Sequence, residues 1–378
     1  MIFIEYRSII KNMRRINSID TVRGFSMFLM VFGHIMLWWL RPEDVWLQFW
    51  LYAFLQPLGA TGFLFVSGVS AALSYRNYQS TANDSDTISM TTVRNVYLLR
   101  AFFILVIAFI FNSLNALIWG GSIWEWNALQ TIGVSLIFAW PFLKTSKLFR
   151  IVLGILMIIG NQLILNVLML YEGEVSLFGI LFHVLFNPLD QYVILIYLGI
   201  LIIGSAIGEY IYQINITEEE NKRKYLFKNK LLIHMLLIGI FLIVFGIFYQ
   251  FPNFLIFNTI SSISSAVGLV ITILSSLMLI EVLEKIKTNK SYKYFFYYSF
   301  YSFTIFLLHN PLLFLFTKQL NAYFTIWLAC AVCIVLFGVI LRFTYKKLGK
   351  FASLKAVLSI ISFFIATELI EKKTKRSA

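Results

Sequence analysis

The chain has 378 residues, of which 60% are hydrophobic and 13% charged, with a formal net charge of +13 and a mean hydropathy of +0.81. That apolar excess excludes a soluble globular domain, which needs more polar surface to face water. The positive charge does not point to nucleic acid, because the lysines and arginines sit in short loops between apolar runs, the bias of cytoplasmic loops.

Apolar runs of about 18 residues or more recur along the whole length, so the expected class is an all-α polytopic membrane protein. Residues 1–16 read as a cytoplasmic N-terminal segment, "MIFIEYRSIIKNMRR" lacking the apolar core and small-residue cleavage site of a signal peptide. Helices are predicted near 17–40, 57–76, 95–119, 127–144, 148–170, 190–213, 229–250, 257–284, 294–317 and 321–344, about ten transmembrane spans. The segment "EDVWLQFWLYAF" (43–54) reads as an interfacial helix leading into the second span. Residues 353–370 form an eleventh apolar segment, read as a cytoplasmic interfacial helix because the basic "KKTKR" follows it. The division is then 1–16, a transmembrane domain over 17–350, and a C-terminal apolar helix with a basic tail over 351–378.

Every second loop is basic: Lys144, Lys147 and Arg150 after the fourth span, Lys222 to Lys230 after the sixth, Lys285 to Lys293 after the eighth. Both ends are expected in the cytoplasm of a cell carrying the chain in its plasma membrane. The outward loops hold Glu43, Asp44, Glu125, Glu172, Glu174 and Asp190, and eight of the nine tryptophans map to that side. An interfacial aromatic belt accounts for those tryptophans better than a platform for a sugar-like acceptor. Cys330 and Cys333 lie in an apolar run with no second ligand pair, so they read as small core residues and no metal is expected.

Within the first span, "RGFSMFLMVFGH" carries Arg23 and His34 eleven residues apart. At about 100° per residue the two share one face, about 16 Å apart along the axis. Ionisable groups in a span usually face a polar cavity, whereas the plainer readings are an Arg23 pair with Asp20 and a His34 satisfied between helices. His309, in "YSFTIFLLHNPLL", falls at similar depth in the ninth span with Asn310 beside it, which suggests a polar chamber. Asn127 and Gln130 of "WNALQTIG" are candidates to line it, although an interhelical hydrogen bond explains either amide alone. Arg94 and Arg100 flank the start of the third span, where arginines suit the phosphates of an anionic cofactor.

"SIDTVRGFSMFLMVFGH" (18–34) resembles the first-span signature of the transmembrane acyltransferase superfamily, with the Arg-x10-His spacing of the acyltransferase-3 group. "GATGFLFVSGVSAALS" (59–74), "WNALQTIGVSLIF" (126–138) and "YSFTIFLLHNPLL" (301–313) are similar to the heparan-α-glucosaminide N-acetyltransferase catalytic-domain family. The resemblance implies transfer of an acyl group, usually acetyl from cytoplasmic acetyl-CoA, to an acceptor across the membrane. By position it carries over Arg23 and His34 as the paired Arg and His and Arg100 as the basic entry to the third span; taken with the residues read above, His34, Arg23 and His309 are the expected catalytic group and Arg23, Arg100 and Arg94 the expected cofactor-binding one. Asn127, Gln130 and Asn310 would bind the acceptor, a glycan or amino sugar, in contact with membrane lipid; an oligomer is compatible with all of this. Animal members carry asparagine at the position of His34 and their histidine in the following loop, whereas loop 41–56 here has no histidine. The rival reading is a multi-pass transporter or flippase with a histidine proton relay; the absence of inverted repeats and mid-span prolines weighs against it.

Overall fold

A computed structural model describes residues 14–84, 89–120, 122–189, 191–284 and 293–377. Arg7, Lys11, Asp190, Lys285, Lys287 and Lys290, which enter the topology argument, lie outside the described residues. The helices are α1 (Asn17–Trp39), α2 (Val45–Asp84), α3 (Met90–Trp119), α4 (Ala128–Phe142), α5 (Lys147–Leu168), α6 (Leu177–Phe186) and α7 (Ile194–Asn215). They continue with α8 (Glu220–Phe248), α9 (Ile260–Val282), α10 (Lys293–Phe300), α11 (Ser302–Leu308), α12 (Thr325–Lys347) and α13 (Leu354–Ser377). Among the described residues eight helices are long and apolar enough to cross a membrane, which makes the chain an all-α integral membrane protein.

Eight of the ten predicted spans correspond to those helices. The fourth is α4, with 15 residues; at about 1.5 Å each it reaches about 22 Å, short of a hydrocarbon core of about 30 Å. The ninth is broken: α10 ends at Phe300, α11 runs to Leu308, and a 3₁₀ turn covers Asn310–Phe314. Pro311 sits at the start of that turn, where its missing N–H is tolerated and its ring stops α11 from continuing. The segment 43–54 does not form a separate helix, because Val45–Asp84 is one helix of 40 residues. The sequence pattern missed α6, a ten-residue apolar helix started by Ser176, whose side chain accepts the Gly179 N–H. α13 is helical but is not among the eight.

The chain forms two compact units. One spans Leu64–Arg223 with the C-terminal helix from Leu358 onward; the other joins Ile16–Phe63 to Lys224–Val357. In the first unit α7 is the central helix, buried over most of its length between α5 and α4.

In the second unit α1 is the central helix, touching α9, α10, α11 and α12. Met27, Val31, Ile35, Met36 and Trp39 of α1 pack with Tyr298, Tyr301, Ile305 and Ile326. Gly24 lets α1 approach α10 so closely that a Cβ there would collide with the Phe295 carbonyl. Three things then fix α1 lengthwise. At its start the N-cap residue Ile16 offers no side-chain cap, and Glu281 from the end of α9 replaces it. The Glu281 carboxylate accepts from the backbone N–H groups of Asn17 (2.8 Å) and Ser18 (2.9 Å) and from the Ser18 hydroxyl (2.5 Å). A carboxylate there satisfies donors that helix geometry leaves unpaired and opposes the positive end of the dipole. At mid-length the Gly24 contact sets the distance to α10. At its far end Leu320 N–H donates to Trp39 O (2.8 Å) and Arg41 N–H to Leu320 O (2.9 Å), a parallel bridge to the segment after the 3₁₀ turn.

Glu281→Ala is expected to lower stability by about 1–3 kcal/mol, because it strands two backbone donors. Thermal unfolding of the detergent-solubilised protein checks this, and an unchanged midpoint would show that solvent caps α1 equally well.

Candidate active site

The second unit holds three of the sequence candidates and brings two of them, His34 and His309, into contact. Arg23 and His34 lie on one face of α1, and His309 ends α11 as its C-cap residue. Arg23 is buried, with Nη1 donating to Asp20 Oδ1 (3.2 Å) and to Ser299 Oγ (3.3 Å). The Ser299 hydroxyl donates in turn to the same carboxylate oxygen (3.2 Å). Arg23 therefore has the Asp20 partner that the plainer reading assigned it, and Ser299 of α10 completes the group.

His34 and His309 meet directly: Nδ1 of His34 is 2.7 Å from Nε2 of His309. The ring planes differ by 11° and the centroids are 4.9 Å apart. With so short an N···N distance, that separation puts the rings side by side in one plane and not face to face. His309 is almost wholly buried, and His34 is half-buried. On its other edge, Nδ1 of His309 lies 2.7 Å from the Phe306 carbonyl oxygen and 3.2 Å from that of Ile305.

These contacts determine where the protons are. A carbonyl oxygen only accepts, so Nδ1 of His309 carries the hydrogen, and in the neutral ring Nε2 is then a lone pair. That lone pair must receive a hydrogen from Nδ1 of His34, which leaves Nε2 of His34 unprotonated. Among the described residues nothing donates to it. The site thus presents one basic nitrogen, backed by a chain of two imidazoles ending on backbone.

Trp38 lies one turn after His34. Its ring is near-parallel to His34 (5.1 Å, 17°) and to His309 (5.5 Å, 21°), so the indole covers one side of the coplanar pair. Asn310 is half-buried next to His309, and its side chain forms no hydrogen bond among the described residues. Trp38 and Ser299 were not recognised from sequence: the first read as a belt residue, and a lone serine carries no spacing signal.

The remaining candidates lie in the first unit. Asn127 is the N-cap of α4, its side chain accepting the Gln130 N–H at 3.0 Å. Its amide also donates to Asn112 Oδ1. Asn112, on α3, donates to Gln130 Oε1 (2.9 Å) and to the carbonyls of Ile123 (3.1 Å) and Glu125 (3.2 Å). The two predicted amides are thus brought together by a third, Asn112, which as a lone polar residue in an apolar run carries no sequence signal. Arg94 and Arg100 both lie on α3, Arg94 exposed with its Nε 3.4 Å from Asn95 Oδ1 and Arg100 half-buried. Arg150, expected as a loop charge, is wholly buried within α5. It pairs with Glu209 and donates to Ser205 O (3.1 Å), while Arg76 reaches the other Glu209 oxygen at 2.7 Å. Among the described residues no group of three or more His, Cys, Asp or Glu is placed to hold a metal.

Residues 15–250 match the family described as heparan-alpha-glucosaminide N-acetyltransferase, catalytic. The match includes Arg23, His34, Arg94, Arg100, Asn127 and Gln130, and ends before His309. No curated protein matches the chain.

Asn112→Ala removes the donor that ties the 122–127 loop to α3 and leaves two carbonyls and an amide oxygen without it. Limited proteolysis should then cut this loop about tenfold faster, as expected for the loss of ~1.4 kcal/mol of local stability. Cleavage at the wild-type rate would mean that the α4 cap holds the loop by itself.

Proposed function

This chain belongs to the heparan-alpha-glucosaminide N-acetyltransferase catalytic family, and from that membership and the His34–His309 pair we propose that it moves an acetyl group from acetyl-CoA to a hydroxyl or amine of a glycan-like acceptor, with His34 as general base. That it is a membrane-embedded acetyltransferase follows from the family and the helices. The donor, the acceptor class and the residue roles are our reading. The observation that carries them is the 2.7 Å contact between Nδ1 of His34 and Nε2 of His309, from which an unprotonated Nε2 on His34 follows.

In this reading the acceptor O–H or N–H meets Nε2 of His34. As the acceptor's lone pair attacks the thioester carbonyl carbon, its proton passes to Nε2. The C–S bond breaks, the electron pair leaves on sulfur, and the proton then goes to the thiolate, leaving free CoA and the acetylated acceptor. His309 keeps His34 in the tautomer with its basic nitrogen outward, and the 2.7 Å bond between the rings lets the second share the charge while it lasts. Asn310, beside His309, supplies an amide N–H for the carbonyl oxygen as negative charge develops on it. Arg23, occupied by Asp20 and Ser299, holds α1 on α10 and keeps the pair at its depth. The basic loops favour donor entry from the cytoplasm and an acceptor arriving on the other side of a plasma membrane, with the N-terminus cytoplasmic.

His34→Ala should lower thiol release from acetyl-CoA, with glucosamine or water as acceptor, by about 10²–10⁴-fold. His309→Ala should lose less, and His309→Gln should recover part of that loss, because its amide oxygen still accepts from Nδ1 of His34. Folded His34→Ala protein turning over at the wild-type rate would contradict the assignment.

A further inference from the structure

We infer that Trp38 is a positioning residue whose indole face stabilises the positive charge that the His34–His309 pair acquires during transfer. The inference rests on His34 acting as base. If it does, one proton enters two rings lying edge to edge in a plane, and a single indole covers that plane from one side, with centroids at 5.1 Å and 5.5 Å. Aromatic faces carry negative charge density, and a cation within about 6 Å of the centroid is attracted, most strongly by tryptophan and most when water is excluded.

The local geometry distinguishes this from an interfacial belt. The neighbouring Trp39 is buried and donates from Nε1 to the Leu312 carbonyl (2.6 Å), a packing role satisfied by one hydrogen bond. Trp38 has no such bond among the described residues; its ring packs against the core around α1 and lies over the two imidazoles. Its backbone is fixed separately, with Lys318 N–H donating to Trp38 O at 2.9 Å.

The charged groups at this end of α1 make the face useful. Lys318 Nζ donates to Leu37 O (2.7 Å), Arg41 Nε to Gln319 O (2.9 Å), and Asp44 Oδ2 accepts from Ala322 N–H (2.9 Å). Lys318, Arg41 and Asp44 thus hold the surrounding backbone, and among the described residues neither they nor Glu43 hydrogen-bonds or ion-pairs with a histidine. An imidazolium formed here has Trp38 as its facing partner.

The test varies the charge on the face at constant shape. Tryptophan 38 is replaced, in the full chain, by 5-fluoro- and then more highly fluorinated tryptophan, each step withdrawing density from the ring. Thiol release from acetyl-CoA, with glucosamine or water as acceptor, is measured alongside W38F, W38L and His34→Ala. The expected result is a stepwise fall in kcat with fluorination, about tenfold overall, at an unchanged KM for acetyl-CoA. W38F should retain more activity than W38L. A flat fluorination series with His34→Ala inactive would overturn the role of Trp38 and leave the base assignment intact. Wild-type turnover by His34→Ala would overturn the base assignment and this inference with it.

Discussion

The hydrogen bond between Nδ1 of His34 and Nε2 of His309 is the constraint on which the site depends. Each neutral imidazole has two nitrogens of opposite character, and in the buried ring of His309 both need a partner within the protein. Backbone carbonyls at Ile305 and Phe306 settle one end of the chain by accepting from His309. Once that end is settled, every proton in the neutral pair follows, and the single remaining lone pair is Nε2 of His34. A nitrogen with a free lone pair is left on His34 without an acidic partner, in a place where a carboxylate would be costly to bury.

So short a contact requires α1 and α11 to be held in register, and the second unit does this at both ends. Glu281 fixes the start of α1 and the Leu40–Leu320 bridge fixes its finish. Between them the missing Cβ of Gly24 sets how closely α10 approaches, and Arg23 with Asp20 and Ser299 ties the two helices where their polar atoms face each other. The break of the ninth span has a part in this. The last ladder bond of α11 runs from the His309 N–H to the Ile305 carbonyl (3.0 Å); ending the helix there leaves the Phe306 carbonyl at the end of the ladder, where the His309 ring folds back onto it.

Much of this was legible before any coordinates. The eleven-residue interval predicted one face and two levels for Arg23 and His34, and equal depth predicted that His309 would be near. Apolar runs located the long helices because burial in lipid demands length and little else. What could not be read were features set by partners distant in sequence. The stacking of Trp38 depends on where α11 ends, and belt tryptophans look the same in a string of letters. Asn112 was hidden because a single amide in an apolar run has no period. Arg150 follows a turn and so read as a loop charge, yet Ser205 and Glu209 of α7 satisfy it inside the unit. The 40-residue α2 escaped because its first turns carry the exposed aromatics of an interfacial segment.

The protonation pattern of the pair tests the account most directly. The chain has four histidines, so a ¹⁵N-histidine-labelled sample in lipid bilayers gives a spectrum simple enough to assign. The account predicts that neutral His34 and His309 both carry hydrogen on Nδ1, that both Nε2 atoms are unprotonated, and that a through-hydrogen-bond coupling links Nδ1 of His34 to Nε2 of His309. A hydrogen found on Nε2 of neutral His34 would contradict it, because the nitrogen assigned to take the acceptor's proton would already hold one.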